Sequence, residues 1–291
     1  MIIGHKSFMV RINPAPKQGD LSVLFSGKAR PKPGLRNGPA IHDYFLIHTV
    51  IGGAGWFELA GKQYQCTEGD SFIIFPGMVF LYEPSVDTPW YYCWVAFTGD
   101  NAAKQLEELG ITPERPVIST TNVVKMQNIY KRMRDGLDME HAPSLIDLEA
   151  SGLLRLLIYE LGLANREFMP KEENPLSDQE RQLDQAIRWL FLQYTQSITI
   201  EQLAKSLGYH RTHLSRIFKQ RTGQSPAQYL LKIRMEKAKE LLGRSLSITE
   251  VAASVGYSDP LYFSRQFRKW TGESPTDYRQ RTYPAAGTAR L

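Results

Sequence analysis

Two arginines, Arg216 and Arg265, stand at equivalent places in a stretch that the chain states twice. Each sits in a short, mainly polar set. Arg211, Thr212, Ser215, Arg216 and Lys219 form one, and Leu261, Ser264, Arg265 and Arg268 the other. Residues at i, i+3, i+4 and i+7 share one face of a helix. Arginine and serine on one such stripe supply the hydrogen-bonding chemistry that a helix needs to read base edges and phosphates in a DNA major groove.

The elements that hold these residues are duplicated. ITIEQLAKSLGYHRTHLSRIFKQRTGQSPAQY (198–229) returns as SITEVAASVGYSDPLYFSRQFRKWTGESPTDY (247–278), at an offset of 48 that becomes 49 after one extra residue. Two copies are too few to stack as a solenoid, so this is a doubled supersecondary unit. Ile200, Leu203, Ala204 and Leu207 recur at helical spacing, and Gly208 suits a left-handed helix end. Asp259-Pro260 supplies a cap and a first-turn proline for the next helix, whereas His210 is a poorer cap in the first copy. Leu214 and Phe218, and Phe263 and Phe267, are expected to face inward. A plain reading as small amphipathic helices with solvated basic faces suits one such hairpin. It does not suit two with arginine at the same place on the same face. The joining segment, LLKIRMEKAKELL, is rich in helix formers. A helix over 225–242 would span about 27 Å, against roughly 34 Å for one turn of DNA.

These motifs, GYHRTHLSRIFKQRTGQSP and GYSDPLYFSRQFRKWTGESP, resemble the DNA-binding module of AraC/XylS-type transcription regulators, over roughly 177–283. The resemblance implies an all-α double helix–turn–helix that binds double-stranded DNA, commonly as an activator. Charge agrees with it. From Ser177 onward there are 18 Lys and Arg against 10 Asp and Glu, while the preceding residues carry a slight acidic excess. A polyanion contact is therefore expected at the C-terminal end.

The 291 residues suffice for two domains. Cys66 and Cys93 make neither a disulfide framework nor a zinc cluster. No signal-peptide pattern opens the chain and no uncharged apolar run approaches ~18 residues, so a cytoplasmic protein without membrane contact is expected.

Before the duplicated stretch the hydrophobic period is two. After a Pro/Gly-rich segment (1–40) with one short strand at Leu21–Phe25, strands are expected at Tyr44–Ile51, Gly55–Leu59, Lys62–Cys66, Ser71–Phe75, Val79–Tyr82 and Trp90–Phe97. Close spacing and turn signals predict an antiparallel barrel or jelly roll. Gly69-Asp70 and Pro76-Gly77 resemble the second half of a cupin motif. Where metal-binding cupins place histidines, this chain offers His42, then Tyr44 and Phe80. Three ligands are the usual minimum for a catalytic metal. No metal, cofactor or catalytic residue is assigned, and an enzyme is not expected. His48, on an apolar strand, is expected to be a satisfied core residue.

Tyr82, Trp90, Tyr91, Tyr92 and Trp94 are compatible with a packed core or with a wall that stacks on a sugar while bonding its hydroxyls. The stretch 43–99 is similar to the sugar-binding cupin domain of AraC-type regulators. That similarity implies a small-molecule effector, a sugar, contacted by Tyr82, Tyr92 and Trp94, with Arg36 and His42 near the mouth. The family's pocket arginine is replaced by Gly38-Pro39.

Helices are expected over 101–112 and 122–164. The stripe Leu145, Leu148, Leu153, Leu156, Leu157, Leu161 serves either packing on the barrel or a homodimer, with Leu153 and Leu157 at that interface. The expected organisation is α+β: 1–165 a cupin-like sensing and dimerisation domain, 166–176 a linker, 177–291 the DNA-binding domain. The rivals are a sugar-modifying cupin enzyme tethered to DNA and a constitutive DNA binder without a ligand.

Overall fold

Strand β4 (Phe45–Gly52) shows how the first unit is built. Its residues from Phe45 to Val50 are all buried, because the sheet it belongs to is covered on both faces. His48 points inward to the ring of Tyr82 in the facing sheet, while its neighbour Thr49 points outward to the hydroxyl of Tyr130, 3.1 Å away on a covering helix. The computed structural model describes residues 8–119, 122–140, 142–170, 176–196 and 199–283. The chain forms two compact units, 1–172 and 173–291.

The first unit contains β1 (Phe8–Ile12), β2 (Ser22–Ala29), β3 (Asn37–Ala40), β4, β5 (Ala54–Leu59), β6 (Lys62–Thr67), β7 (Asp70–Ile74), β8 (Phe80–Pro84), β9 (Tyr91–Thr98) and β10 (Val117–Ser119). They form antiparallel sheets in the orders β1-β2-β9-β4-β7-β10 and β3-β8-β5-β6. Between them lie Phe57 and Phe72, both fully buried, whereas Ile47 and Phe97 share the outer face of the six-stranded sheet with Thr49. Leu59 pairs with Lys62 across a two-residue turn in which Ala60 and Gly61 both have positive φ, the geometry whose twist matches a hairpin.

Six of the expected strands are present with ends shifted by a residue or two, and the strand expected at Leu21–Phe25 runs on to Ala29. Three others, β1, β3 and β10, carry too little alternation to be seen in the sequence. β3 is NGPA, and its pairing with β8 holds at Asn37 and Ala40 but breaks between them, where proline has no N–H to donate.

Helices α1 (Ala102–Glu108), α2 (Val123–Leu137) and α3 (Pro143–Ala164) follow, the last two packed against the six-stranded sheet. Asn13 pins α3 in place, donating to Asp147 Oδ1 at 2.9 Å and to Val23 O at 2.8 Å in a buried site. The expected linker is not all open chain. Arg166–Phe168 forms a 3-10 turn, with the Arg115 guanidinium 3.1 Å from the centre of the Phe168 ring. Residues 171–175 of the expected linker lie outside the described residues.

The second unit is helical: α4 (Asp178–Gln193), α5 (Ile200–Ser206), α6 (Arg211–Thr222), α7 (Pro226–Leu242), α8 (Ile248–Ser254), α9 (Pro260–Thr271) and α10 (Pro275–Thr282). It has two cores. One gathers Leu183, Leu190, Leu203, Leu214, Phe218 and Leu230, the other Met235, Ala238, Leu242, Val251, Phe263 and Phe267. The joining helix α7 therefore belongs to both, giving Leu230 to the first and Met235, Ala238 and Leu242 to the second.

Candidate nucleic-acid interface and effector cavity

The repeated letters of the sequence each do a local job. Thr199 and Ser247 open α5 and α8 with reciprocal capping boxes to Gln202 and Glu250. Gly208 and Gly256 follow these helices at φ +73° and +85°. The Asp259 side chain accepts from Leu261 N at 2.8 Å and Pro260 takes the first helical position, so α9 begins sharply. His210 makes no such cap for α6. The repeated Thr-Gly-x-Ser-Pro stops one helix and restarts the next. Gly223 and Gly272 take left-handed φ, Ser225 and Ser274 cap, and Pro226 and Pro275 lead α7 and α10.

With Leu214, Ile217 and Phe218 buried, α6 exposes Arg211, Thr212, Arg216 and Lys219. With Phe263 and Phe267 buried, α9 exposes Leu261, Arg265 and Arg268, Leu261 by 75%. Ser215 and Ser264 are half-buried on the flank of each stripe, and Ser264 Oγ donates back to Pro260 O at 2.8 Å. Four other arginines of this unit are committed internally: Arg181 to Asp178, Arg281 to Glu273, and Arg234 and Arg279 to backbone carbonyls. Among the described residues, the side chains of Arg211, Arg216, Lys219, Arg265 and Arg268 have no hydrogen bond or ion pair. Free donors on two equivalent stripes are what a phosphate or a base edge can use.

The first unit holds a cavity of about 620 Å³, lined by Tyr82, Tyr92, Phe8, Asn37, Arg36 and Arg30 among others. Its size is ordinary for a small-ligand site. Asn37 Nδ2 donates to the Tyr82 hydroxyl at 2.6 Å, and Arg36 Nε to Glu83 Oε2 at 3.1 Å. Burial, with Tyr92 beside it, pushes the Tyr82 phenol far above the ordinary range, so it stays a neutral donor and acceptor. Arg36, Tyr82 and Tyr92 thus meet on one wall, whereas Trp94 and His42 lie elsewhere. Trp94 is 6% exposed, covers the space over Gly27, and has the Phe8 ring 5.4 Å away on its outer side. His42 stacks on Tyr44 at 4.6 Å and packs against Phe80 at 4.8 Å. The three positions that a metal-binding cupin would fill with ligands do converge here, as one imidazole, a phenol and a phenyl ring. Asn37 and Arg30 were not expected on the wall; both lie in a Pro/Gly-rich stretch whose sequence has no periodicity to place them.

His48 is not the satisfied core residue expected. It lies 1% exposed among Phe72, Tyr82, Tyr92 and Trp94, and its Nδ1 has no hydrogen-bond partner. Burial first, then the nearby His42, pushes its pKa from 6.5 down to about 3. Unfolding restores the ordinary value, so the stability held above pH 6.5 is lost as pH falls toward 3. By pH 5 the loss from this residue is about 2 kcal/mol. His48→Phe should flatten the acid limb of a pH–stability curve measured by urea unfolding of the barrel. An unchanged acid limb would show that the buried imidazole is not what titrates.

Two sequence families match the chain, one described as an AraC-like ligand binding domain over residues 23–158 and one as a helix-turn-helix domain over 203–281. The lactose operon transcription activator of Staphylococcus xylosus is 30% identical over 238 residues, covering 80% of this chain and 83% of that protein. The Msm operon regulatory protein of Streptococcus mutans is 29% identical over 268 residues, covering 90% and 93%. The raffinose operon transcriptional regulatory protein of Pediococcus pentosaceus is 28% identical over 270 residues, covering 91% and 96%. Among the described residues no helix is long and apolar enough to cross a membrane. Two helix–turn–helix units with free arginines, an antiparallel barrel with a cavity, and relatives aligned across both place the chain in the AraC family of transcription regulators, non-enzymatic DNA-binding proteins under the control of a ligand.

Proposed function

We propose that the chain is a cytoplasmic activator of a carbohydrate-utilisation operon, with a sugar held in the barrel cavity as its effector and α6 and α9 reading the operator. The observation that carries the sugar is the cavity wall, where the phenols Tyr82 and Tyr92 stand beside Asn37 and Arg36, aromatic surface next to groups that can bond hydroxyls. The relatives' lactose and raffinose operons support the same class. On the DNA side, Arg211, Thr212, Arg216 and Lys219 of α6 and Leu261, Arg265 and Arg268 of α9 are assigned to the interface, with Ser215 and Ser264 at its margin.

The DNA assignment is tested with the fragment 177–291. Its affinity for a duplex should fall steeply with salt, by about a thousandfold between ~50 and ~200 mM if some six phosphates are neutralised. A folded fragment with no DNA affinity at low salt would end this reading.

The protein is further proposed to be a homodimer through α3. The leucines expected at that interface, Leu153 and Leu157, instead fill the chain's own core together with Leu161. That face of α3 is covered within the chain by α2 and by strands β2 and β10. A second stripe remains: Leu145, Leu148, Leu156, Tyr159 and Leu163 are 49–70% exposed, and Gly152 among them has open space above it. Covering them with another copy's α3 would remove large apolar side chains from water, each worth about 1.5–3 kcal/mol. Leu148→Glu with Leu156→Glu should raise the dimer dissociation constant at least about a hundredfold. Light scattering at micromolar concentration reads the change, and a variant as dimeric as the parent would discard this interface.

A further inference from the structure

The two helix–turn–helix copies are joined by more than the backbone of α7. Arg234, midway along that helix, donates from Nε to Tyr194 O at 2.8 Å and from Nη2 to Gln196 O at 2.7 Å. Both carbonyls lie just past the end of α4, which precedes the first copy and shares its core. The same guanidinium stands 5.3 Å from the centre of the Tyr257 ring, in the turn of the second copy. Beside it, a Cβ on Gly256 would stand 2.6 Å from Tyr194 O and 2.9 Å from Arg234 Nη2, so that turn is pressed against the loop after α4. Tyr194 packs against both cores.

The second copy contains an internal comparison. Arg279 of α10 donates from Nε to Leu242 O at 3.0 Å and from Nη2 to Leu246 O at 2.6 Å, a similar grip on one carbonyl at a helix end and one just beyond it. Among the described residues it has no hydrogen bond or ring contact with the first copy. Each arginine satisfies one carbonyl that a helix end leaves orphaned, Tyr194 O or Leu242 O, and one in the loop that follows. Arg234 alone also bridges the copies.

We propose that Arg234 is a positioning residue that locks α6 and α9 in one relative setting, so that the regulator accepts two DNA half-sites at a single spacing. This rests on both helices engaging DNA. A planar fork with several donors can hold two carbonyls and face a ring at once, whereas a lysine ammonium cannot reproduce that geometry.

The test uses the full chain and a duplex that it enriches from a random-sequence pool. One base pair inserted between the half-sites shifts the second by about 3.4 Å and rotates it by roughly 35°. The intact protein should then lose about a hundredfold in affinity, since a rigid pair can no longer engage both halves. Arg234→Ala should bind the parent duplex less tightly and lose less than about tenfold on insertion, as flexibly joined modules do. Arg234→Lys should show the same tolerance and serves if the alanine variant does not fold. Arg279→Ala, which removes as many hydrogen bonds, should keep the full discrimination. The proposal is overturned if the Arg234 variants discriminate as the parent does, if Arg279→Ala loosens spacing equally, or if the parent is indifferent to spacing. A parent chain that enriches no duplex would sink the DNA reading and this inference with it.

Discussion

Arg265→Ala is expected to weaken binding to the enriched duplex by about 1–3 kcal/mol, roughly 5- to 150-fold, and to relax sequence preference in one half of the site only. Arg216→Ala should do the same in the other half. The argument rests on the availability of these two side chains. Both extend from the exposed faces of well-packed helices, and neither has an internal partner to release. Arg281→Ala is the control, because that guanidinium is already held by Glu273 at 2.7 Å. Of the pair, the larger loss is expected at Arg265. The Asp259 cap and Pro260 fix the start of α9, whereas α6 has no side-chain cap at His210 and holds its first turn less firmly. Equal losses on enriched and random duplexes would reassign that arginine to a phosphate, since phosphate contacts carry no sequence information.

The DNA-binding half was legible because its signals are local. Gly208, Ser225, Pro226 and Asp259 each act within a few residues, so the letters alone say where helices stop and start. Duplication then doubled the signal. What could not be read depends on distant partners. Arg234 and Arg279 make the same kind of grip, yet they do not align: Arg234 follows Tyr229 by five residues and Arg279 follows the equivalent Tyr278 by one. The shift of about one helical turn hides the equivalence from any comparison of the copies. Helix α3 failed differently. Leucines lie on two of its faces, and periodicity does not say which one the barrel covers; Leu153 and Leu157, which suit a dimer interface equally well by spacing, face inward. At the cavity, the aromatic members could be found by type. Asn37 and Arg30 come from irregular segments, which only the tertiary fold brings to the wall.

The effector cavity is expected to be silenced by small changes at Tyr82. Trp94→Ala is the poorer choice, because removing a ring that is 6% exposed and packed over Gly27 should destabilise the barrel by about 3–5 kcal/mol whether or not a ligand binds. Tyr82→Phe keeps the ring and its stacking and removes one hydroxyl, which leaves Asn37 Nδ2 without its present acceptor. If a sugar hydroxyl shares that network, the loss is about 1–3 kcal/mol. The effector concentration for half-maximal change in DNA binding should then rise roughly tenfold or more. Arg36→Ala should act in the same direction, less strongly, since its side chain is 63% exposed and already bonded to Glu83. Ligand-free DNA affinity should stay unchanged in both variants. An effector works only through unequal affinity for the DNA-competent and incompetent states, and neither substitution touches the reading helices. Binding itself is followed by tryptophan fluorescence, because Trp94, though off the cavity wall, has its ring 5.6 Å from that of the wall residue Tyr92. Lactose, raffinose and their component sugars form the first panel. A folded Tyr82→Phe protein that responds to an effective sugar at the parent's concentration would move the effector site away from this wall, and the aromatic cluster would then be core alone.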